Sequence, residues 1–277
     1  MKLNINNEFG KLKEVMVCLG SNIPIYNDYR TDDPEFLKYH PYSWDKDLLL
    51  KQQEQFFNVL SKYNVNLVFP ETRKELIWQM YTRDTAFVIH DKLYYSSIRK
   101  LGARNGEIDS LLKVLNLEAD QIEPIDNEIE GGDVLVEDIS KISIGHGSRT
   151  SQSSIDFLSK SIEVKNFELG LNVMHLDTRL TLLPKQIALV NISAFSNTDI
   201  DFLRSKYRII EVHDNETKKL GTNVFVINPE TVVVPTQHIR IAKEIENFDL
   251  KIELVDYTEP INLGGSFRCT TLPLVRE

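Results

Sequence analysis

The chain contains very few cysteines and lacks the common metal-binding and cofactor-binding motifs. Cys18 and Cys269 are the only cysteines among 277 residues, too few for a disulfide framework. No CxxC or HxxxH pair is present, so the paired ligand spacing of a zinc site is missing. A phosphate-binding glycine loop and a dinucleotide fingerprint are absent from the sequence as well. We therefore expect neither a metal nor an organic cofactor.

Long apolar runs and blocks of like charge are also missing. No segment approaches the ~20 apolar residues of a membrane-spanning helix, and no apolar N-terminal signal segment is visible. The formal net charge is −9, which disfavours nonspecific binding to nucleic acids and anionic membranes because both are polyanions. We expect a cytoplasmic protein that binds neither. An acidic balance is compatible with a cationic small-molecule substrate, and self-association is left open.

The chain does contain a regular repeat of polar positions beside apolar runs. Asp84, Glu130, His175, Asn223 and Cys269 follow one another at intervals of 45 to 48 residues. A period in this range is typical of repeat and propeller architectures. If the units close into a ring, these five side chains converge on its axis. A nucleophile, a base and carboxylates would then meet in one pocket.

Each period predicts two strands joined by a turn, then a helix and a third strand. The hairpin signal is a pair of apolar, β-branched runs separated by Asn, Asp or Pro, as in residues 224–227 and 232–234. Amphipathic stretches lie between the hairpins, and Leu49, Phe56 and Leu60 share one helical face. The pattern therefore predicts an α/β fold, a five-bladed propeller of αβ units with pseudo-fivefold symmetry.

A single domain over residues 1–277 follows from the unbroken period. The N-terminal strand near residues 15–19 would complete the last unit by pairing with the C-terminal strand near residues 271–275. Residues 21–44 are rich in Pro, Asp, Asn and Tyr and lack periodicity. They form the longest predicted loop, and loops of that length are often lids.

Cys269 is the best candidate nucleophile. It lies between paired glycines and paired threonines, in a turn rather than a strand, and turns commonly hold reactive side chains. Thiolate is the reactive form, and a nearby histidine or cationic group lowers the thiol pKa. The alternative is a structural thiol, which is what we expect for Cys18 because it lies in an apolar run.

The other repeat positions carry weaker signals when taken singly. His175 and Asp177 are two residues apart, so in an extended chain they face the same side, although a lone histidine is more often structural. Glu130 precedes two glycines, which permit a sharp turn or a close backbone approach. The alternative for Glu130 is a solvated side chain on a tight turn, and for Asp84 an ion pair with Arg83. The equal spacing favours the functional interpretation.

Two arginines are candidates for binding an anionic group. Arg149 lies at a predicted helix start, where a cation interacts unfavourably with the helix dipole. That placement suggests a role, such as holding a carboxylate through two parallel hydrogen bonds. Arg104, between two glycines, gives a similar but weaker signal.

Taken together, these motifs resemble those of the guanidine-modifying enzymes of the pentein superfamily. This group includes arginine deiminases, dimethylarginine dimethylaminohydrolases, agmatine deiminases and arginine amidinotransferases. The resemblance extends from about Phe9 to the C-terminus and is carried by residues 82–84, 130–133, 148–150, 175–177 and 264–269. It implies a five-bladed αβ propeller, the architecture that the repeat predicts independently.

The resemblance also implies a reaction that needs no cofactor. Cys269 would be the nucleophile, His175 the general acid and base, and Glu130 the carboxylate that orients both substrate and histidine. Thiolate attacks the guanidinium carbon, and ammonia or an amine leaves after His175 protonates the leaving nitrogen. Water then hydrolyses the covalent thiouronium to a ureido product.

The implied substrate is free L-arginine or an N-methylated L-arginine, giving citrulline. Asp84 and Asp177 resemble the pair that grips the guanidinium nitrogens, and Arg149 and Arg104 resemble the arginines that bind the α-carboxylate. Asp177 would crowd a dimethylated nitrogen, which favours unsubstituted arginine. The compact length is similar to that of the dimethylarginine enzymes, so both substrates stay open.

Two alternatives are retained. Amidinotransferases pass the amidino group to an acceptor amine, although they usually place Asp where Glu130 stands. A non-catalytic pentein-fold binding protein has no need to keep the whole set of Cys269, His175 and carboxylates. Related arginine dihydrolases place Asn at the position of Asp84, which argues against that activity here.

Overall fold

A computed structural model describes residues 2–24, 44–97, 104–170 and 172–277. Most of the loop predicted over residues 21–44 lies outside the described residues. The strands of the described residues are, in chain order, β1 Leu12–Met16, β2 Asn66–Val68, β3 Phe87–Ile89, β4 Lys92–Ser96, β5 Ile122–Ile125, β6 Val134–Asp138, β7 Lys141–His146, β8 Glu163–Glu168, β9 Leu180–Leu183, β10 Ile187–Val190, β11 Arg208–Glu211, β12 Phe225–Asn228, β13 Thr231–Pro235, β14 Lys251–Val255 and β15 Leu272–Arg276.

The strands form five separate sheets of three strands each, in the orders β3-β4-β5, β6-β7-β8, β9-β10-β11, β12-β13-β14 and β15-β1-β2. In every sheet the middle strand pairs antiparallel with the first strand and parallel with the third. This is the repeating unit that the sequence period predicts. The predicted five-bladed αβ propeller is confirmed.

The parallel pairs require a crossover connection, and a helix supplies it in each blade. The α-helices of the described residues are α1 Lys46–Lys62, α2 Thr82–Thr85, α3 Glu107–Leu115, α4 Gln152–Leu158, α5 Asn197–Lys206, α6 Asp214–Thr217, α7 Ile239–Glu246 and α8 Thr258–Asn262. The helices α1, α3, α4, α5 and α7 are the crossovers. None of the helices among the described residues is long and apolar enough to cross a membrane.

Side-chain caps set where two of these helices begin. Ser151 caps α4 and Ser196 caps α5, each by accepting a hydrogen bond from a backbone N–H in the first turn. Arg149 therefore precedes the capped start of α4 and lies outside the helix itself.

The two ends of the chain meet in one sheet. β1 pairs antiparallel with β15, with Val15 opposite Pro273 and Met16 opposite Leu272, as the sequence predicts. β1 begins and ends three residues earlier than residues 15–19, so Cys18 lies beyond the strand. Cys18 is nevertheless buried, because the apolar run continues into the core after the strand pairing ends.

An aromatic cluster packs α1 against neighbouring parts of the ring. Phe56 is fully buried. Its ring centroid lies 6.0 Å from that of Phe225 in β12, 5.6 Å from that of Tyr257 and 4.6 Å from that of Phe267. Phe267 lies two residues before Cys269, so the same cluster supports the segment that carries the candidate nucleophile.

The repeated polar positions occupy equivalent places in the ring. Asp84, Glu130, His175, Asn223 and Cys269 all lie in the short segments just before the first strand of a blade. Backbone contacts join neighbouring segments: the N–H of Arg83 donates to the carbonyl of Cys269 over 3.2 Å. The convergence expected from the period is therefore present.

We predict that Phe56→Ala lowers the free energy of unfolding by about 3–5 kcal/mol, because it leaves a cavity among buried rings. Ile139→Ala is the matched control, since Ile139 is 69% exposed and surface changes usually cost less than about 0.5 kcal/mol. Urea unfolding followed by circular dichroism measures both. If Phe56→Ala and Ile139→Ala lower the free energy of unfolding by an equally small amount, the aromatic cluster does not hold α1 in place.

Candidate active site

The segments that precede the blades enclose a pocket of about 410 Å³. Its walls bring together five of the predicted site residues, Asp84, Arg104, Arg149, His175 and Cys269. The remaining lining residues, which the sequence analysis did not predict, are Trp78, Tyr81, Met174, Leu263 and Gly264. Glu130 and Asp177 do not line the pocket but touch residues beside it. The roles of all these residues stay predictions.

His175 is held by Glu130 at one edge of the pocket. Its Nε2 lies 2.8 Å from Oε2 of Glu130, and Nη1 of Arg149 donates to the other oxygen of Glu130 over 3.3 Å. Burial lowers the pKa of His175, but the charge of Asp84 and the hydrogen bond with Glu130 outweigh burial and raise it to about 9. The imidazole is therefore protonated at neutral pH and can donate a proton.

The two glycines after Glu130 are required by close packing. A Cβ on Gly132 would lie 2.6 Å from Nδ1 of His175, and a Cβ on Gly131 would lie 2.2 Å from the carbonyl oxygen of Arg83. Any larger residue would push Glu130 away from the histidine it contacts. The predicted close backbone approach is confirmed, and the alternative of a solvated turn is wrong because Glu130 is buried.

Asp133 bonds the segment that follows Glu130 to two neighbouring segments. The sequence analysis did not predict it as a site residue. Its Oδ1 accepts a hydrogen bond from the N–H of Leu176 over 2.8 Å, and its Oδ2 accepts one from the hydroxyl of Thr150 over 2.6 Å. Burial raises its pKa to about 7, although these hydrogen bonds and the charge of His175 oppose the rise. Asp133 thereby positions the residues that follow His175 and Arg149.

Arg104 binds Asp84 from behind. Its Nη1 donates to Oδ2 of Asp84 over 2.7 Å, its Nε donates to Glu107 over 3.0 Å, and its Nη2 donates to the carbonyl of Tyr81 over 3.1 Å. Burial opposes the charge on Arg104, but Glu107 and Asp84 raise its pKa above the usual value. Arg104 lines the pocket, and in this arrangement its main contacts orient Asp84. The other oxygen of Asp84 lies 3.7 Å from Nδ1 of His175.

Cys269 is buried, and Asn223 holds its segment. Oδ1 of Asn223 accepts from the N–H of Arg268 over 3.0 Å and from the Cys269 thiol over 3.5 Å, while its Nδ2 donates to the carbonyl of Asp177 over 3.1 Å. Asn223 thus links two of the repeated segments. Burial and the charges of Asp177 and Asp84 raise the pKa of Cys269 well above its usual value. The thiol is therefore protonated at neutral pH.

Asp177 is fully buried next to these groups. Burial raises its pKa, and the charges of Arg268, His175 and Arg83 oppose the rise. Nε of Arg268 lies 3.5 Å from Oδ2 of Asp177. Within the described part of the chain, neither carboxylate oxygen of Asp177 receives a hydrogen bond. The lone pairs of both oxygens are therefore not used by any hydrogen-bond donor of the described residues.

Asp84, Glu130 and His175 could together hold a cation, since one potential ligand atom from each lies within 4.8 Å of the others. A metal would need a lone pair on the imidazole. The raised pKa of His175 means that both ring nitrogens carry protons at neutral pH. This set of donors suits an organic cation that brings its own N–H groups better than it suits a metal ion.

One part of the pocket wall is apolar. The rings of Trp78 and Tyr81 lie 5.9 Å apart between centroids, and the Tyr81 hydroxyl donates to the carbonyl of Leu263 over 2.7 Å. Met174 completes this wall. The aromatic residues just before Asp84 were visible in the sequence, but only the fold shows that they face the candidate nucleophile.

Comparison with known proteins places the chain in a family. The family model described as N,N dimethylarginine dimethylhydrolase, eukaryotic, matches residues 35–276. An uncharacterised Bacillus subtilis protein, YkgA, is 28% identical, with 97% of this chain and 94% of that protein covered.

Two solved structures share the fold. The N-terminal domain of ArgZ, a cyanobacterial arginine dihydrolase bound to its product, has a TM-score of 0.81 at 16% identity, and the match covers 96% of this chain and 98% of that chain. A mutant DDAH from Pseudomonas aeruginosa, complexed with citrulline, has a TM-score of 0.75 at 17% identity, and the match covers 95% and 99% of the two chains. Together with the geometry of the pocket, these findings show that the chain belongs to the N,N dimethylarginine dimethylhydrolase family and is a pentein-fold guanidine-modifying enzyme.

Proposed function

We propose that this protein is a cysteine-dependent hydrolase that converts the guanidinium group of free L-arginine, or of an N-methylated L-arginine, to the ureido group of citrulline. The observation that carries the proposal is that a buried thiol, a histidine with a raised pKa and the carboxylate of Asp84 line one pocket. Cys269 and His175 both line this pocket. The family match supports the same class of substrate.

Binding of the guanidinium rests on charge. A guanidinium spreads one positive charge over three nitrogens, and carboxylates give it planar, charge-assisted hydrogen bonds. Asp84 lines the pocket, and Asp177 is buried beside it with neither oxygen hydrogen-bonded by the described residues. The apolar wall around Trp78 and Tyr81 suits the aliphatic part of the substrate. Arg149, on the rim beside Glu130, would bind the α-carboxylate.

The bound cation activates the thiol. In the empty pocket, burial and the charges of Asp177 and Asp84 raise the pKa of Cys269. The single positive charge of a guanidinium offsets part of those two negative charges, so the pKa of Cys269 falls when the substrate binds and the thiol releases its proton to the solvent. The thiolate then attacks the guanidinium carbon.

His175 moves the protons of the later steps. It is protonated at neutral pH, so it protonates the leaving nitrogen as the C–N bond breaks, and ammonia or an alkylamine departs. The neutral imidazole then takes a proton from water, which attacks the thiouronium carbon and releases the ureido product. The C–S bond of the tetrahedral adduct breaks to expel the Cys269 thiolate, which takes a proton from the solvent once the product has left. Glu130 keeps the imidazole in place throughout.

Turnover of a substrate panel tests the proposal. Arginine, monomethylarginine, asymmetric dimethylarginine, agmatine and homoarginine are incubated with the enzyme, with and without glycine or lysine, and ureido products are measured. We expect citrulline without an acceptor, and no turnover by Cys269→Ser despite an unchanged melting temperature. Wild type quenched with arginine should show a covalent adduct by intact mass, and Cys18→Ser is the matched control that keeps both signals.

Two outcomes would overturn the proposed hydrolase function. Ornithine that forms only when an acceptor amine is present would make the protein an amidinotransferase. No turnover of any guanidine, with the protein folded, would favour a non-catalytic binding protein.

Inactivation by iodoacetamide tests the state of the thiol. In a Cys18→Ser background Cys269 is the only cysteine, and its raised pKa predicts slow alkylation at pH 7 that accelerates about tenfold per pH unit as the thiolate forms. Asp177→Asn should shift this profile to lower pH, because it removes the carboxylate charge that opposes the thiolate. Asp138→Asn, on the surface, should not. Rapid alkylation that does not change between pH 6 and 8 would contradict a protonated thiol in the free enzyme.

Two substitutions test how the substrate is oriented. Arg149→Ala should reduce kcat/KM for arginine roughly 10- to 150-fold more than for agmatine, which lacks the carboxylate, since a hydrogen bond to a charged group contributes about 1.5–3 kcal/mol. Agmatine also corrects for any disturbance of Glu130, which Arg149 contacts.

Asp177 should favour unsubstituted arginine over asymmetric dimethylarginine, because a dimethylated nitrogen has no hydrogen to donate. Asp177→Ala should reduce the ratio of kcat/KM for arginine to kcat/KM for asymmetric dimethylarginine in the same kinetic assay. A wild-type preference for the dimethylated substrate would contradict this role of Asp177 and leave the Cys269 reaction intact.

A further inference from the structure

Arg268, the residue before Cys269, lies between two buried carboxylates. Its Nη1 donates to Oε2 of Glu8 over 2.5 Å, and its Nε lies 3.5 Å from Oδ2 of Asp177. All three side chains are less than a tenth exposed. A chain of charges therefore runs from the N-terminal segment, through Arg268, to the carboxylate beside the catalytic pocket.

The contact between Arg268 and Asp177 has an unusual form. At 3.5 Å it is an ion pair rather than a hydrogen bond, and no donor in the described residues bonds either oxygen of Asp177. A buried carboxylate without a compensating charge is strongly destabilised. Arg268 supplies that charge without donating a hydrogen bond to either oxygen, so both oxygens keep their hydrogen-bonding capacity for the N–H groups of a cation that binds beside Asp177.

We propose that Arg268 is a positioning residue that holds Asp177 ready for the guanidinium, and that Glu8 anchors Arg268 in turn. This inference rests on the proposed function. It assigns to the N-terminal segment a part in substrate binding, although Glu8 does not touch the pocket.

Glu8 is suited to act as the anchor. It lines a second cavity together with Arg83 and Arg276, separate from the catalytic pocket. The N–H of Val136 donates to Oε1 of Glu8 over 3.1 Å, so both carboxylate oxygens are bonded. Burial opposes the charge on Glu8, but the nearby arginines lower its pKa to about 2. Glu8 is ionised under all ordinary conditions and can affect the pocket only through its neighbours.

Arg276 provides a matched control for the buried charge cluster. It is buried and lines the same cavity as Glu8. Its guanidinium donates to the carbonyls of Gly10 and Val226 over 2.7 and 2.8 Å. Replacing Arg276 therefore disturbs the cluster without removing the group that faces Asp177.

The test compares the steady-state kinetics of arginine hydrolysis in Arg268→Met, Arg268→Lys, Glu8→Gln and Arg276→Met, with melting temperatures measured for each. We expect Arg268→Met to raise KM at least ~10-fold with a smaller change in kcat, since it removes support from a charge-assisted contact. Glu8→Gln should raise KM in the same direction. Arg268→Lys should restore part of the loss, because it keeps the charge but not the planar guanidinium.

The control separates positioning from general stability. Arg276→Met should lower the melting temperature and leave KM within ~2-fold of wild type, the range of small changes in affinity. Equal KM values in Arg268→Met and Arg276→Met would overturn the positioning role of Arg268. An unchanged KM in Glu8→Gln together with a raised KM in Arg268→Met would overturn the anchoring role of Glu8. If the wild-type protein hydrolyses no guanidine, the proposed function itself is contradicted.

Discussion

Pairing between β1 and β15 joins the two ends of the chain in one sheet, and the candidate active-site pocket depends on that closure. Met16, at the end of β1, lies opposite Leu272, and its carbonyl accepts a hydrogen bond from the hydroxyl of Thr82 over 3.3 Å. Cys269 precedes β15 and Asp84 follows Thr82. One closing contact therefore fixes the candidate nucleophile beside the first carboxylate of the pocket. The other blades then place Glu130, His175 and Asn223 around the same point.

Closing the ring buries more charge than a protein core normally holds. Asp84, Glu130 and Asp177 are carboxylates with almost no exposure to water. Each is placed near a cation of the protein: Arg104 binds Asp84, Arg149 binds Glu130, and Arg268 faces Asp177.

Arg104 and Arg149 line the pocket together with Asp84, and Arg268 lies outside the pocket lining. The arginines thus compensate the buried charge while the pocket keeps acceptors for a guanidinium. An apolar pocket without carboxylates could not select a cation over an uncharged molecule in this way.

The sequence period was enough to predict the fold, the ring closure and the repeated polar positions, because the positions recur once per blade and each blade is one supersecondary unit. Strand limits were predicted less well. The apolar run that contains Cys18 continues beyond Met16, since hydrophobicity reports burial and not strand pairing.

The contacts that complete the site were beyond the reach of sequence patterns. Arg268 and Glu8 are 260 positions apart, and no local spacing relates them. Arg104 was predicted to bind substrate, and only the fold shows that it bonds Asp84 and Glu107. Asn223 was visible as a repeat position, but its bonds to two other segments follow from the register of the blades. Long-range pairing of buried polar groups is decided by topology, which short motifs do not encode.

The pKa values of the two candidate catalytic side chains share one cause. Burial, Asp177 and Asp84 raise the pKa of Cys269, and Asp84 and Glu130 raise that of His175 against the effect of burial, so at neutral pH the thiol is uncharged and the imidazole is charged. In the proposed mechanism a bound guanidinium neutralises Asp84, which favours the thiolate. The same neutralisation weakens the hold of Asp84 on the imidazole proton, but the hydrogen bond from His175 to Glu130 remains. Glu130 therefore allows Cys269 and His175 to respond differently to the substrate. Cys269 loses its proton when the substrate binds, while His175 keeps the proton that the leaving nitrogen needs.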